Sequence, residues 1–286
     1  MPRPFRFDPR PRGRLEHKPR PQFPSSGRYD SPGDGPLESA SLELEKPFSF
    51  DASLAKRLLR REVNCKEAFT VRDGGGIFFR ASLKELSESG GTAVPYERLE
   101  SSPEPCVEIT LACAVLARQR MIFVAQKATE LGVSRIVPLL SEHSVKPQDL
   151  EHEKAHAWPG QLIRAAKQCR RSSLPELLAP MTLDAFLASP AMAQAELCLC
   201  LDNVGAEQAA PDGSPKKIVL LVGPEGGFSE AERTKLEGKA LSWKLGGRVL
   251  RAETAVLVGL SAVHLTWGDF CYTPQGVVKQ KHGHFG

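Results

Sequence analysis

Residues 218–232 read Ile-Val-Leu-Leu-Val-Gly-Pro-Glu-Gly-Gly-Phe-Ser-Glu-Ala-Glu. The five apolar residues predict a buried strand, because a continuous apolar run bounded by turn residues is typical of a strand covered on both faces. Gly223, Gly226 and Gly227 predict a turn whose backbone lies close to a small molecule, since glycine has no Cβ to keep a ligand away. Ser229 and Glu232 form a capping box that begins a helix. A strand, a glycine-rich turn and a helix in this order indicate an α/β protein.

The turn disfavours two common nucleotide sites. It lacks the Lys-Ser/Thr pair of a phosphate-binding P-loop, and no Gly-x-Gly-x-x-Gly motif follows a predicted strand. The glycine-rich signature that follows the first strand of a class I methyltransferase is absent as well. Two interpretations stay open for the turn alone: a ligand site, or only a tight connection between strand and helix.

Outward from this stretch, strands and helices alternate. Such alternation predicts a parallel sheet with helices on both faces, and these sheets bind ligands at the carboxyl ends of their strands. The predicted strands cover residues 107–115, 136–140, 197–201, 218–222 and 243–245, and the predicted helices cover residues 126–131, 161–169, 230–237 and 253–267.

A second glycine-rich turn follows about twenty residues later. Residues 245–255 read Leu-Gly-Gly-Arg-Val-Leu-Arg-Ala-Glu-Thr-Ala and place two arginines and a glutamate before an apolar helix. Arg248 and Arg251 either form ordinary surface ion pairs with Glu253 or face an anionic substrate. In the second case the two glycine-rich turns wall one pocket.

Residues 47–102 predict a small, β-rich and barrel-like first domain. Its helix carries Leu54, Leu58 and Leu59 on one side and a basic face with Arg57, Arg60 and Arg61 on the other. The run Asp73-Gly74-Gly75-Gly76 separates strands at 68–71 and 77–83, which is a hairpin signal. Residues 87–105 form either the last hairpin of this domain or the linker that leaves it.

The charge of the chain is concentrated at its N-terminus. The net charge is +4, yet residues 1–28 alone hold eight basic and two acidic residues. This basic arm either binds a polyanion through its phosphates or is a solvated leader without a partner. Residues 1–46 are rich in Pro, Arg, Gly and Ser, so we expect little fixed structure there, apart from a short strand at Phe5-Arg6-Phe7.

Length and composition set the class of protein. The 286 residues favour two modest domains or one large one, and 41% apolar and 25% charged residues are ordinary for a globular chain. No apolar run approaches the roughly 20 residues that cross a bilayer, and residues 1–28 lack the apolar segment of a secretory signal. The seven cysteines include no Cys-x-x-Cys pair and predict reduced thiols. We therefore expect a cytoplasmic protein.

Two further motifs complete a family resemblance. Residues 126–133 read Gln-Lys-Ala-Thr-Glu-Leu-Gly-Val, and residues 168–176 read Gln-Cys-Arg-Arg-Ser-Ser-Leu-Pro-Glu. With the two glycine-rich turns, in this order and spacing, they resemble the ribosomal RNA small subunit methyltransferase E family. Its members are SPOUT-class enzymes that use S-adenosyl-L-methionine to methylate N3 of a uridine in 16S rRNA. The resemblance covers roughly residues 49–269, and Arg57-Leu58-Leu59-Arg60 and Asp73-Gly74 are similar to signatures of the family's PUA-like barrel.

The resemblance implies a fold and an assembly. It implies a PUA-like RNA-binding domain at residues 47–102, a SPOUT methyltransferase domain at 107–272 with a C-terminal trefoil knot, and a tail at 273–286. It makes Arg3 to Pro9 similar to the family's opening strand and residues 10–46 an insertion. It also implies a homodimer, the small ribosomal subunit as partner, and no metal.

The resemblance also implies roles for individual residues. Glu253 is the candidate proton acceptor or orienter, and Arg251 stabilises negative charge on the uracil. Cofactor-binding positions are Leu201, Val222, Gly223, Pro224, Glu225, Gly226, Gly227, Leu245, Gly246, Val249, Leu250 and Arg251. RNA-binding positions are Arg57, Arg60, Arg61, Arg171 and Arg248.

The chain departs from the family pattern at several positions. These changes concern RNA contacts more than the cofactor pocket, whose glycines are intact. The departures are Lys66-Glu67, Ile122, His143, Lys167, Arg170 and Ala252.

Two other functions fit parts of the sequence. His152-Glu153-Lys154-Ala155-His156 matches the zinc hydrolase pattern His-Glu-x-x-His, although Pro159 follows closely and no third ligand is evident. A non-catalytic RNA-binding protein fits the barrel and the basic arm but leaves the paired glycine-rich turns without a purpose. A metal assay tests the first alternative, and titration with S-adenosylmethionine tests the second.

Overall fold

The computed structural model describes residues 29–202 and 212–270. Within these ranges the chain forms a four-stranded antiparallel sheet followed by a larger parallel sheet. The predicted parallel sheet is therefore confirmed. The expectations for Phe5-Arg6-Phe7, for Arg3 to Pro9 and for the tail at residues 273–286 lie outside the described residues.

The first sheet has the order β1-β4-β3-β2. Its helix α1 begins at the Asp51 cap, whose carboxylate accepts a hydrogen bond from the Leu54 amide at 3.0 Å. The predicted hairpin turns at Asp73, whose Oδ1 accepts the amides of Gly75 and Ile77. The elements are β1 (Phe48–Asp51), α1 (Ala52–Arg60), β2 (Ala68–Arg72), β3 (Phe78–Ser87) and β4 (Gly90–Arg98). Residues 87–105 thus contain the last hairpin of the sheet and then the linker.

The second sheet has the order β11-β9-β10-β5-β6-β7, and β8 also pairs with β6. All of its strand pairs are parallel. Its strands are β5 (Glu108–Ala114), β6 (Arg135–Leu140), β7 (Glu176–Leu177), β8 (Met181–Thr182), β9 (Leu197–Leu201), β10 (Lys217–Val222) and β11 (Leu241–Trp243). Its helices are α2 (Arg118–Glu130), α3 (Trp158–Gln168), α4 (Leu183–Leu187), α5 (Pro190–Ala193), α6 (Glu230–Leu236) and α7 (Ala252–Thr266).

Strand β10 shows why the run at residues 218–222 is apolar throughout. Ile218 and Leu220 pack into the core beneath α2, α3 and α7. Val219 and Leu221 point the other way, into the core that α4 and α6 cover. Because successive strand residues face opposite sides, a strand buried on both faces has no place for a polar residue.

Strand β11 lies two residues earlier than predicted. It pairs with β9 at Leu241 to Trp243, and Leu245 already belongs to the loop that follows. Apolar residues at 243 and 245 predicted a strand, because alternate apolar residues are typical of one. Leu245 is partly buried for another reason: it lines the cleft described below and has no partner among the strands that the structure describes.

Residues 29–46 differ from the expectation of little fixed structure. Leu37 is buried, Ser31 pairs with β7, Asp34 pairs with Leu174 just before β7, and Glu38 pairs with β2. We call residues 31–38 the strap. The composition of residues 1–46 did not predict the strap, because the strap is stabilised by backbone hydrogen bonds to residues distant in sequence and by one buried leucine.

No helix within residues 29–202 and 212–270 is both long enough and apolar enough to pass through a bilayer.

Three buried thiols predict a loss of stability at alkaline pH. Burial raises the pKa of Cys113, Cys198 and Cys200 to about 12 each. The folded chain then keeps protons that the unfolded chain releases above about pH 8.5. Unfolding free energy is therefore expected to fall by about 1.4 kcal/mol per pH unit for each thiol between about pH 9 and 12. Denaturant titrations under reducing conditions measure this slope.

Matched variants isolate the thiol contribution. Cys198→Ala is expected to make the slope shallower by one thiol, whereas Cys65→Ser, at an exposed position, leaves it unchanged. Equal slopes for Cys198→Ala and the unchanged protein would contradict the assignment.

Candidate active site

A cleft opens at the carboxyl ends of β9, β10 and β11, beside the start of α7. This is the edge at which parallel sheets bind ligands. Both glycine-rich turns contribute to it, so the structure brings together two stretches that are about twenty residues apart in sequence. The cleft is lined by Leu201, Asp202, Val222, Gly223, Pro224, Glu225, Gly227, Phe228, Trp243, Leu245, Arg248, Val249, Leu250, Ala252 and Ala255.

Most of the predicted cofactor positions line this cleft, and three do not. Gly226 lies behind the turn, where an added Cβ would approach the Cβ of His143 to 3.3 Å. Gly246 has a φ of +113°, so it shapes the second turn rather than lining it. Arg251 is the exposed N-cap residue of α7.

Several lining residues were missing from the sequence prediction. Phe228 is buried, and a Cβ on Gly223 would lie 3.2 Å from its ring. Trp243 lies at the end of β11 and packs against Trp267 with 6.1 Å between ring centroids. Asp202 follows directly on β9. For Asp202 the available signal was its position directly after a strand, because every strand of a parallel sheet delivers its next residue to the same edge.

Hydrogen bonds hold the first glycine-rich turn, residues 223–227, in place. Gly227 has a φ of +72° and donates its amide to the Pro224 carbonyl at 2.8 Å. The predicted capping box is present, with Ser229 and Glu232 exchanging hydrogen bonds. Glu232 also accepts the Glu142 amide at 2.9 Å, which ties the turn to the loop after β6. The turn is thus fixed before any ligand binds.

Glu253 lies in the first turn of α7 with a side chain only 15% exposed. Its Oε1 lies 3.9 Å from Nε of Arg120, and its buried Oε2 has no hydrogen-bond partner among the described residues. Its negative charge adds to burial in raising the pKa of Cys113 at the end of β5. A fixed carboxylate oxygen without a partner is able to accept a proton from a bound molecule.

Arg120 is a site residue that the sequence did not reveal. It lies in the first turn of α2 and forms ion pairs with Glu225 of the first glycine-rich turn and with Glu253. One guanidinium therefore connects the first glycine-rich turn to the start of α7. The available signal was a basic residue just after the carboxyl end of β5, the neighbour of β10.

The predicted RNA-binding arginines divide into three groups. Arg248 lines the cleft and is exposed. Arg57 and Arg60 remain partly exposed, but both pair with Asp34 of the strap. Arg61 and Arg171 are buried, with side chains 6% and 5% exposed.

The two buried arginines correct the sequence prediction. Arg61 donates to the Ser172 carbonyl at 2.6 Å, and burial lowers its pKa although Asp34 opposes that effect. Arg171 donates to the carbonyls of Thr129 and Val133 and pairs with Glu104 of the linker. Their guanidinium groups satisfy internal acceptors, so they are not available to RNA phosphates in this conformation.

The zinc hydrolase pattern does not form the required helix. Lys154 has a φ of +56°, which ends the turn over residues 151–154 before a short 3₁₀ helix at Ala155–Ala157. Glu153 accepts the Arg118 amide at 2.5 Å. Zinc binding by this pattern needs both histidines on one face of a continuous helix, so the geometry for that alternative is missing.

The sequence of this chain is similar to those of known RNA methyltransferases. A family model described as an RNA methyltransferase domain matches residues 102–264. The ribosomal RNA small subunit methyltransferase E of Synechocystis sp. is 32% identical over 215 residues, which cover 73% of this chain and 69% of that protein.

Two solved structures share the fold. A methyltransferase of Legionella pneumophila in complex with the cofactor SAM is 30% identical, with a TM-score of 0.59, and the match covers 82% of this chain and 100% of the other. Ribosomal RNA small subunit methyltransferase E of Neisseria gonorrhoeae bound to S-adenosyl methionine is 26% identical, with a TM-score of 0.58 and coverage of 83% and 100%. On the matching RNA methyltransferase domain and on the 32% identity to a named member, this chain belongs to the ribosomal RNA small subunit methyltransferase E family.

Proposed function

We propose that the protein methylates N3 of a uridine in 16S rRNA of the small ribosomal subunit, with S-adenosylmethionine as methyl donor. The observation that carries this proposal is the single cleft walled by both glycine-rich turns. Family membership supports the reaction class, and two matched structures hold the same cofactor.

The chemistry of the cleft fits S-adenosylmethionine. Leu201, Val222 and Leu250 provide apolar walls for an adenine ring, and Asp202 and Glu225 provide carboxylates for the polar and cationic parts of the molecule. Gly223 lets the buried Phe228 ring pack close against the turn, since an added Cβ would lie only 3.2 Å from that ring. When bound, the cofactor supplies an activated methyl group on a sulfonium, so no metal is needed for transfer.

The protein's own task is to orient the uracil and to accept its N3 proton. Glu253 is suited to this role because its Oε2 is buried and unpartnered while Arg120 keeps the carboxylate in place. Arg251 begins α7 beside it and is exposed, so it is free to approach negative charge on the uracil.

A homodimer and a trefoil knot are part of the proposal. Exposed apolar residues on neighbouring helices, Phe123 of α2 and Val258 and Leu265 of α7, support a partner surface beside the cleft. Strand β11 lies outside β9, and α7 then returns to pack against α2 and β10. This return path beside the second turn supports threading of residues 245–254.

We further propose that the four-stranded sheet is a PUA-like RNA-binding domain and that the protein acts in the cytoplasm, where the small subunit is assembled. Arg248 at the cleft mouth supports RNA contact near the reacting base. A base inside folded RNA must leave its stack to reach such a cleft.

Calorimetric titration with S-adenosylmethionine, followed by incubation with small subunits that lack the modification, tests the function. We expect one binding event per chain and N3-methyluridine in the digested 16S rRNA by mass spectrometry. RNA binding without cofactor binding would instead support the non-catalytic RNA-binding alternative.

A further inference from the structure

The strap joins the edges of both sheets. Ser31 exchanges backbone hydrogen bonds with Leu177 of β7, and Asp34 exchanges them with Leu174. A few residues later, the Leu37 carbonyl accepts the amide of Arg72 in β2 at 2.7 Å. The same short segment therefore pairs with the outer strand of the first sheet and with the outer part of the second.

Asp34 of the strap binds three arginines at the C-terminal end of α1. Its carboxylate forms ion pairs with Arg57, Arg60 and Arg61, and its side chain is 11% exposed. Its Oδ1 also accepts the Leu174 amide at 3.1 Å. One carboxylate thus connects the helix of the first domain with a backbone position of the second.

The charges make Asp34 the central member of this group. Three guanidiniums face one carboxylate, and Arg57 and Arg60 both act to lower the pKa of Arg61, whereas Asp34 acts to raise it. Without the carboxylate, buried Arg61 would face two like charges with no opposite charge beside it. The arrangement of all three arginines therefore depends on Asp34.

The remaining contacts of these arginines also lead to the strap or to the second domain. Arg57 donates to the carbonyl of Pro36 at 2.9 Å, and Arg61 donates to the carbonyl of Ser172 at 2.6 Å. Ser172 in turn bonds to the amide of Leu37 and to the carbonyl of Thr70. Helix α1 is thus tied to the second domain through a continuous hydrogen-bonded path.

We propose that Asp34 is a positioning residue: it locks α1 to residues 172–174 through Arg57, Arg60 and Arg61, and thereby sets the angle at which the first domain presents RNA to the cleft. This inference rests on the proposed function for its RNA consequence only. The three arginines serve the lock, and they do not pair with RNA phosphates. A rigid link between two RNA-contacting domains raises affinity because less freedom is lost on binding.

Asp34→Asn in the full chain tests the lock, with Glu38→Gln as the matched control. Glu38 lies on the same strap but forms a single, exposed ion pair with Arg72. In Asp34→Asn we expect faster amide hydrogen exchange at residues 31–37 and 172–177, and weaker binding of small-subunit RNA by about tenfold. Cofactor affinity and the maximal rate at saturating RNA should stay within twofold, and Asp34→Glu should restore RNA affinity in part. Glu38→Gln should match the unchanged protein throughout.

Three results would overturn the proposal. Unchanged hydrogen exchange in Asp34→Asn means that there is no lock, and faster exchange with unchanged RNA affinity means that the lock does not serve RNA. Tighter RNA binding with a steeper salt dependence means that Asp34 masks a phosphate site. The exchange measurement needs no activity, so it remains informative if methylation itself is not found.

Arg60→Gln keeps the test decisive if Asp34→Asn does not fold. Arg60 is the most exposed of the three arginines and leaves the other two pairs intact. We expect the slope of log affinity against log salt to stay unchanged, because Arg60 neutralises Asp34 and no phosphate. A slope shallower by about 0.7–0.9 would show a direct phosphate contact and contradict the proposal.

Discussion

Glu253→Gln is expected to lower the methylation rate at saturating substrates by about 100-fold or more, the scale of a lost general base. Glutamine keeps the size and polarity of the side chain but cannot take up the N3 proton. Because Glu253 does not line the cofactor cleft, S-adenosylmethionine affinity should change by less than threefold. Single-turnover methylation and calorimetry on the same preparation separate these two quantities.

Glu230→Gln is the control for this variant. Glu230 also lies in the first turn of a helix, α6, and is exposed. Its loss removes the same charge near a helix N-terminus without touching the cleft. Full turnover by Glu253→Gln with bound cofactor and RNA would remove Glu253 from the role of proton acceptor.

Gly259→Leu is expected to damage the fold and the cofactor cleft together. Gly259 lies in the middle of α7, where an added Cβ would approach Leu201 Cδ1 to 2.6 Å and Leu220 Cδ2 to 3.1 Å. Leu201 lines the cleft, so it has to move when Gly259 gains a side chain. Overpacking of this kind lowers unfolding free energy by about 1–3 kcal/mol. Cofactor affinity should fall by about tenfold, since misplaced methyl groups in apolar pockets have effects of this size.

Two variants of the same helix serve as comparisons. Thr266→Leu introduces a leucine at an exposed position of α7. It should change neither the free energy of unfolding nor the cofactor affinity. Gly259→Ala adds one methyl group against the flexible end of Leu201, and alanine also favours the helix by about 1 kcal/mol. Its stability should therefore stay close to that of the unchanged protein, with a smaller loss of affinity. Cofactor affinity that is unaffected in Gly259→Leu would contradict the coupling between α7 and Leu201.

The parallel sheet and most of the cleft were predictable because they depend on local patterns. The apolar run at residues 218–222 predicts a central strand, and β10 does lie between β9 and β5. Gly223 to Gly227 follow its carboxyl end, so the rule for parallel sheets places them at a ligand site. The proximity of the second turn required the family resemblance, since no local pattern shows which strands become neighbours.

The role of the arginines was not predictable from local patterns. A basic helix face looks the same in sequence whether its partner is RNA or a distant carboxylate. Asp34 precedes Arg57 by more than twenty residues, and it lies in a segment whose composition predicts disorder. Arg171 and Arg120 show the same difficulty, because Glu104 and Glu225 are far from them along the chain.

The position of the cleft in the sequence determines when it forms during synthesis of the chain. Its walls come from β9, β10, β11 and the first residues of α7, all within the last third of the sequence. Domains fold from the N-terminus as the chain emerges from the ribosome. The four-stranded sheet and the β5–β6 pair are therefore complete before any part of the cleft exists, and a nascent chain that ends before residue 252 still lacks one wall of it. Methyl-donor binding is thus acquired only after the four-stranded sheet and the β5–β6 pair have been synthesised.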